Sequence, residues 1–586
     1  MTDTTQAKIL VSVEKELKSS QTKIHEKISE LKDFADKLRR GLLTWYRGSE
    51  DVDVIQRGIA KSQEEVISLE TMLESPYFFK ADVKFADETN ERPVYISKFS
   101  LPEHRIYSWV SPIACLRYAN PGEASYILPS GTSRSGFISR KDNYLIREHQ
   151  LYKFSYATTT TPTTLVINKP FKANEQFGLT EIIEKLDAYQ DDIIRIEPAG
   201  SMLISGAAGS GKTTLALHRM AFLHQNIQTA FSYPIKGMLV FVQDEATKNY
   251  FASILPNLSL KGVTLTTFAE WAFKLLNLTS KNYIYSEQLE HPDHALLIYA
   301  KHQALLRHEK PSKLGNLYDN LSSAYFDYFD EYSFEAFKKQ KSEKILDRFD
   351  LTLLLEAAIG EIKTSDLKQL IVIDEAENYL PGSLAIIKQF RDPTTAAMIY
   401  IGDLVQRTFP FTMRHWEQIN ENFATGRKIV IPKVYRISHE IRKYLESRGY
   451  AQDMSTSLHH GPEVLETTCN PNQLNQVIQS ELENFIKQET LNSNETRITG
   501  ILSNSPDLFS NLRTSYPQNN KLHFLSIHEA QGVEFDTVLL FFKKQSSYPA
   551  HWPHQLTDEL EKVERDLFLV GVTRARFELK VFLLED

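Results

Sequence analysis

The chain has 586 residues, 42% hydrophobic and 24% charged, with a formal net charge of −8 and a pI near 6.1. That length exceeds a single core and predicts roughly three to five domains. The acidic balance excludes a protein that coats nucleic acid with a basic surface, so any nucleic-acid contact must be local, and a protein partner fits at least as well.

No stretch has the basic start, apolar middle and small-residue end of a leader. No apolar run approaches the ~20 residues that cross a bilayer. The two cysteines, Cys115 and Cys469, match no metal-ligand or disulfide spacing and read as buried apolar filler. A cytosolic protein in a reducing compartment is expected.

In chain order, Leu10, Val13, Leu17, Ile24, Ile28, Leu31 and Leu38 recur at helical spacing between Lys and Glu residues, and Gly41 interrupts the run. An acidic stretch, Gly48 to Asp53, precedes a second helical pattern through Ile55, Ile59, Val66, Leu69 and Leu73. Neither helix is stable alone, so the two are expected to fold back on each other. An antiparallel coiled-coil arm over 1–75 follows, ~33 residues and ~50 Å long, closed by Ser75-Pro76. Residues 76–157 alternate aromatic and β-branched with polar residues around turn signals such as Pro121-Gly122, predicting a small β-rich domain. Thr158 to Pro162 reads as a linker. From about 176 to 430 strand and helix patterns alternate, as in an α/β parallel sheet covered by helices, with a helical insertion over 282–363. A second α/β domain covers 431–586.

The chemistry starts at the apolar strand Met202-Leu203-Ile204-Ser205. Gly206-Ala207-Ala208-Gly209-Ser210-Gly211-Lys212-Thr213-Thr214 follows and opens a helix. This is a phosphate loop in its strand–loop–helix setting: glycines let backbone N–H groups curl round phosphates at a positive helix end. Lys212 is expected on the β and γ phosphates of ATP and the Thr213 hydroxyl on Mg²⁺. The buried strand Leu370-Ile371-Val372-Ile373 ends in Asp374-Glu375. Asp374 is expected to hold Mg²⁺, and Glu375 to orient or deprotonate the attacking water.

Further blocks fall in a fixed order: Tyr189-Gln190; Gly402-Asp403-Leu404-Val405-Gln406; Val434-Tyr435-Arg436; Ser526 to Asp536, containing His528, Gln531 and Gly532-Val533-Glu534; and Val572-Thr573-Arg574-Ala575-Arg576. The series resembles the UvrD/Rep-type superfamily 1 helicases. The resemblance implies two RecA-like P-loop domains, 1A over 176–281 and 364–430 and 2A over 431–586, with ATP between them. It implies Gln190 on the adenine edge, Tyr435 stacked on the base, Glu534 on the ribose and Gln406 sensing the γ-phosphate. Arg436 and Arg574 would be arginine fingers; Arg576 reads equally as a surface ion-pairing residue.

Three features depart from an unwinding enzyme. Only about 90 residues separate Arg436 from His528, too few for a duplex-engaging domain. Asp244 and Glu245 stand where helicases carry a strand-contacting turn, and Gln531 replaces the usual lysine. Phe409 and Phe411 remain candidates for base stacking, with core packing as the alternative.

Upstream, the arm, then Ser75-Pro76-Tyr77-Phe78, Tyr95-Ile96-Ser97-Lys98 and Tyr107-Ser108-Trp109-Val110-Ser111-Pro112-Ile113 resemble the HelD-like ATPases that remove stalled RNA polymerase from nucleic acid. This resemblance spans nearly the whole chain. It implies an RNA polymerase partner, an arm entering the secondary channel, and an acidic tip, for which Glu50, Asp51 and Asp53 are the candidates; a solvated acidic turn is the alternative. The family's charged pair in its Asp-Trp-Arg-Ala-Pro block is lost in Ser108-Trp109-Val110-Ser111-Pro112, and the insertion before Asp374 is short. A bacterial cytoplasmic protein, one copy per polymerase, is the expectation. A single-stranded DNA translocase in repair or phage defence is the competing one.

Overall fold

The computed structural model describes residues 3–44, 49–168, 187–207, 210–226, 228–287, 292–311, 316–360, 366–431, 437–450, 459–469, 477–481, 497–505, 521–545 and 547–584. The chain divides into two compact units, residues 1–196 and 197–586.

The first unit opens with two long helices, α1 (Asp3–Thr44) and α2 (Ser49–Glu74). They run in opposite directions. Lys32 pairs with Glu70 at 2.8 Å, and Gly58 faces Leu38 so closely that a Cβ would stand 3.2 Å from its Cδ1. Val13, Leu17, Ile24 and Ile28 of α1 and Val66, Leu69 and Met72 of α2 form the buried seam, with the small Ser20, Ala35 and Ser62 where the helices come close. Gly41 does not end α1, which runs on to Thr44; the apolar seam outweighs the ~1 kcal/mol that one glycine costs a helix. α2 begins at Ser49, so Glu50, Asp51 and Asp53 fall in its first turns, where carboxylates suit the positive end of the helix dipole. Their side chains lie outside the described residues.

The hairpin is rooted in a seven-stranded sheet: β1 (Phe79–Phe85), β2 (Arg92–Ser97), β3 (Ile106–Ser108), β4 (Gly122–Ile127), β5 (Ser133–Arg147), β6 (Gln150–Thr158) and β7 (Thr164–Asn168). The order is β3-β2-β1-β5-β6-β7, with β4 on β5. Tyr77 packs on Tyr95 at 4.8 Å and on Tyr144 at 5.1 Å beneath the helices, and Lys80 pairs with Glu16 at 2.9 Å.

Two boundaries differ from the expectation. Thr158 to Pro162 is a turn between β6 and β7 rather than a linker: the Thr158 N–H donates to the Thr161 carbonyl at 3.0 Å and the Thr161 N–H to Thr158 Oγ1 at 3.0 Å. The short helix Ala188–Ile194 belongs to this unit. Arg195 donates to the Trp109 carbonyl at 2.7 Å and the Val110 carbonyl at 3.1 Å while pairing with Asp191 at 2.6 Å. The division therefore falls after Ile196 rather than near 176.

The second unit holds two parallel sheets. The first uses β8 (Ser201–Gly206), β9 (Met238–Val242), β10 (Thr264–Thr267), β13 (Leu370–Ile373), β14 (Ala397–Gly402) and β15 (Lys428–Ile431), in the order β10-β9-β13-β14-β8-β15. β9, β13 and β14 are buried at every position, as a parallel sheet covered on both faces requires. The second sheet uses β16 (Leu465–Cys469), β17 (Thr499–Ser503), β18 (Leu522–Ser526), β19 (Phe535–Lys543) and β20 (Ala575–Leu584), in the order β16-β20-β19-β17-β18.

Between β10 and β13 lies the helical segment. It contains a two-residue parallel ribbon that its sequence does not announce, β11 (Ile284–Tyr285) with β12 (Ile345–Leu346). Leu297, Ala304, Tyr318, Leu321 and Phe337 share one core with Ile371, Ile373 and Met398 of the first sheet. At its centre the fully buried Lys301 ammonium donates to Asp347 at 2.6 Å, Asp350 at 2.8 Å and Gln340 at 2.8 Å. Among the described residues, no helix is long and apolar enough to cross a membrane.

Candidate nucleotide site

β8 and β13 both end on the carboxyl edge of the first sheet with β14 between them, so the loops after them meet at one place. Gly206 ends β8 against β15: a Cβ there would stand 2.7 Å from the Ile431 carbonyl oxygen. No larger residue fits without moving backbone. Gly211, at φ +86°, caps the helix Lys212–Gln225 in a left-handed conformation that suits glycine. Displacing the loop costs about 1–3 kcal/mol. Gly206→Ala is therefore expected to weaken nucleotide binding by roughly tenfold or more, as read by titration with a fluorescent ATP analogue.

The Lys212 ammonium donates to the Gly206 carbonyl at 2.7 Å and the Ala207 carbonyl at 3.2 Å, at the mouth of the loop. The Ser210 hydroxyl is buried without a hydrogen-bond partner among the described residues. Thr214 is buried, with its carbonyl 2.7 Å from His218 Nδ1. Ala208 and Gly209 lie outside the described residues. The Thr213 hydroxyl donates to Asp374 Oδ1 at 2.9 Å, bringing together the two groups read as magnesium ligands. Burial and the adjacent Glu375 charge push the Asp374 carboxyl up to about 7, against the pull of Thr213 and Lys212. Glu375 sits at φ +49°, a left-handed conformation uncommon outside glycine that costs of order 1 kcal/mol.

These residues fit ATP and Mg²⁺. The loop starts at a glycine packed against the Ile431 backbone, the Ser210 hydroxyl has no partner among the described residues, and a hydroxyl–carboxylate pair is the oxygen donor set a hard cation takes. Among the described residues no group of three or more His, Cys, Asp or Glu could hold a metal, and Mg²⁺ shared with phosphates needs none.

The second sheet reaches this site through Arg574, which caps the C-terminus of the helix His554–Thr573. Its guanidinium donates to the Val570 carbonyl at 3.1 Å, the Val533 carbonyl at 3.5 Å and Gln406 Oε1 at 3.3 Å. Gln406 donates in turn to Asp403. Glu534 is half-buried beside this anchor, since the Phe535 N–H donates to the Arg574 carbonyl at 2.9 Å. Tyr435 and Arg436 lie outside the described residues.

Other residues singled out in the sequence have local structural partners. Gln190 is the N3 residue of a capping box in the first unit: its N–H donates to Asp187 Oδ1 at 2.8 Å and its side-chain oxygen accepts from the Asp187 N–H at 3.2 Å. Asp187-x-x-Gln190 could have been read as that box. Phe409 and Phe411 are core residues rather than open stacking platforms. The Arg348 guanidinium covers Phe409 at 3.6 Å, and His302 stacks on Phe411 at 4.1 Å. Arg576 is exposed, 3.8 Å from Asp536, as a surface ion pair. Asp244 caps the helix Glu245–Ile254 by accepting from the Thr247 N–H at 2.7 Å. Cys469 is buried and Cys115 only half so.

The sequence concealed a bridge between the two sheets. The Thr408 hydroxyl donates to Gln531 Oε1 at 3.1 Å, and Gln531 Nε2 to the Gln406 carbonyl at 3.4 Å. Glu559 has no exposed surface and accepts from Arg407 at 3.0 Å, the Phe411 N–H at 2.8 Å and Arg414 at 2.5 Å. Arg407 also lies 3.4 Å from Asp566.

Residues 297–586 match the model of the UvrD-like helicase C-terminal domain, which supports the UvrD/Rep-type superfamily 1 group of ATP-hydrolysing, nucleic-acid-associated enzymes. The phosphate loop and Thr213 precede the matched range, whereas Asp374, Glu375, Gln406 and Arg574 lie within it. No curated protein matches the chain.

Proposed function

We propose that this chain is an ATP-hydrolysing factor of the HelD-like kind, which binds RNA polymerase through its N-terminal helical hairpin and helps release it from nucleic acid in the bacterial cytoplasm. One observation carries the ATPase part: Lys212, Thr213, Asp374 and Glu375 converge on one strand edge while Arg574 reaches it from the other sheet. The loop and Lys212 hold the phosphates. Thr213 and Asp374 would hold Mg²⁺, which would supply charge neutralisation for the phosphates. Glu375 accepts a proton from the attacking water, Gln406 reads the γ-phosphate, and Arg574 stabilises charge on the transferring group.

The polymerase part rests on the hairpin, whose acidic residues Glu50, Asp51 and Asp53 open α2 at the hairpin turn. The second reading, a single-stranded DNA translocase, is favoured by the match over 297–586. Against it, Phe409 and Phe411 are covered, Asp244 is a helix cap, and Gln531 turns inward.

Affinity purification of the full chain from its source cell, followed by mass spectrometry and ATPase assays, tests both readings. Polymerase subunits are expected to co-purify and to be lost when Glu50, Asp51 and Asp53 become Ala. Recovery of no polymerase, with ATP hydrolysis strongly stimulated by single-stranded DNA, overturns this reading in favour of the second.

A further inference from the structure

The loop between β18 and β19 is built by local rules. Ser526 and Glu529 cap one turn reciprocally: the Glu529 N–H donates to Ser526 Oγ at 3.1 Å and the Ser526 N–H to Glu529 Oε2 at 2.8 Å. The Ala530 N–H then donates to the Ser526 carbonyl at 3.0 Å, and Gly532, at φ +82°, ends the turn in the left-handed region that suits glycine. Gln531 lies between them with 3% of its surface exposed. Both ends of its amide are used on one short segment, the one that carries Gln406. Nε2 donates to the Gln406 carbonyl at 3.4 Å, and Oε1 accepts from the Thr408 hydroxyl at 3.1 Å. An amide brings one acceptor and a donor group, which the hydroxyl and the carbonyl match without burying a charge. Thr408 is fixed in turn from the Asp-Glu side, where Asn378 Oδ1 accepts its N–H at 2.9 Å. Two residues past Gln531, the Val533 carbonyl accepts from Arg574 at 3.5 Å, and Arg574 reaches Gln406 Oε1 at 3.3 Å. Gln531 thus grips the backbone of Gln406 while Arg574 grips its side chain.

We propose that Gln531 is a positioning residue for hydrolysis: its amide holds the Gln406 segment against the loop of the second sheet, so that Gln406 and Arg574 are presented to the γ-phosphate as one unit. This rests on the reading of Gln406 as the γ-phosphate sensor and of Arg574 as the arginine finger. Gln531 acts through Gln406 and has no part in holding the nucleotide. Its loss therefore disturbs the geometry of the transition state and leaves ground-state binding to Lys212 and the phosphate loop; a misplacement of about 1 Å at a reacting centre costs on the order of 10²-fold in rate.

The test measures kcat, KM for ATP and melting temperature for the full chain as wild type, Gln531→Met, Thr408→Val, Gln406→Ala and the double variant Gln406→Ala, Gln531→Met. Methionine keeps the length of the side chain without its amide, and is expected to lower kcat roughly 30-fold, with KM within about twofold and the melting temperature within a few degrees. Thr408→Val removes one of the two bonds from the opposite side and is expected to lower kcat roughly threefold, likewise at unchanged KM. In the Gln406→Ala background the methionine substitution is expected to add nothing, because residues that act through one group are not additive. Wild-type kcat in either single variant at the bridge, a loss carried by KM or by melting temperature, or the same fold loss with and without the Gln406 side chain overturns the proposal. If Gln406→Ala is slow while Gln531→Met is not, only the role of Gln531 fails. If Gln406→Ala turns over as wild type does, the γ-phosphate sensor is misassigned and the proposal falls with it.

Discussion

Glu375→Gln is expected to bind ATP as wild type does and to hydrolyse it roughly 10²- to 10⁴-fold more slowly, the range lost when a positioned base is removed. The amide keeps the size and hydrogen-bonding reach of the carboxyl but cannot accept the proton of water. The binding groups are separate: Lys212 is anchored by loop carbonyls and Thr213 by Asp374. Equilibrium titration with a fluorescent nucleotide and single-turnover hydrolysis separate the two effects. Wild-type turnover would remove Glu375 from the mechanism.

The second large effect lies far from the phosphates in sequence. Glu559→Ala is expected to cost about 3 kcal/mol, because buried Arg407 loses its 3.0 Å partner and keeps only Asp566 at 3.4 Å, while the Phe411 N–H loses its acceptor. Arg407 and Glu559 are both buried, whereas Arg414 is partly exposed and can rehydrate. The double change Arg407→Met, Glu559→Met is expected to recover most of that stability, since buried ion pairs exchange for apolar groups at little cost. It also removes the charged register between the segment after Gln406 and the helix ending in Arg574. Urea unfolding reads the first effect. ATP hydrolysis at matched folded fraction reads the second, and should remain low in the double variant.

The phosphate loop, the Asp-Glu strand and the two parallel sheets were legible in sequence because each rests on local rules: an apolar run, a glycine spacing, a helix start. The bridge was not. Glu559 sits among Asp558, Glu561 and Glu564 in a helix whose charges look alike from sequence, and only the packing against Arg407 and Arg414 separates it from solvated neighbours. Phe409 and Phe411 left two readings open for the same reason: a ring beside a nucleotide motif has the same sequence whether its face is open or covered by Arg348 or His302. Gln190 carries a second, local signal in Asp187 three residues earlier, which gives the capping box the structure shows. The Thr158 to Pro162 turn shows the converse, since a polar run reads as a linker until the strands on either side pair.

The N-terminal hairpin separates attachment from reach. Its seam from Val13 to Ile28 and from Val66 to Met72 shares one core with the tyrosine-lined sheet, whereas the described residues past Leu31 on α1 and before Ser62 on α2 lie outside that core. Excising one heptad from each outer segment would keep that seam in phase and retract the tip by ~10 Å, leaving the root untouched. Length is thus a modular variable of this chain, and under the proposed function the change in activity heptad by heptad would measure, like a dipstick, how deep the tip reaches into its partner.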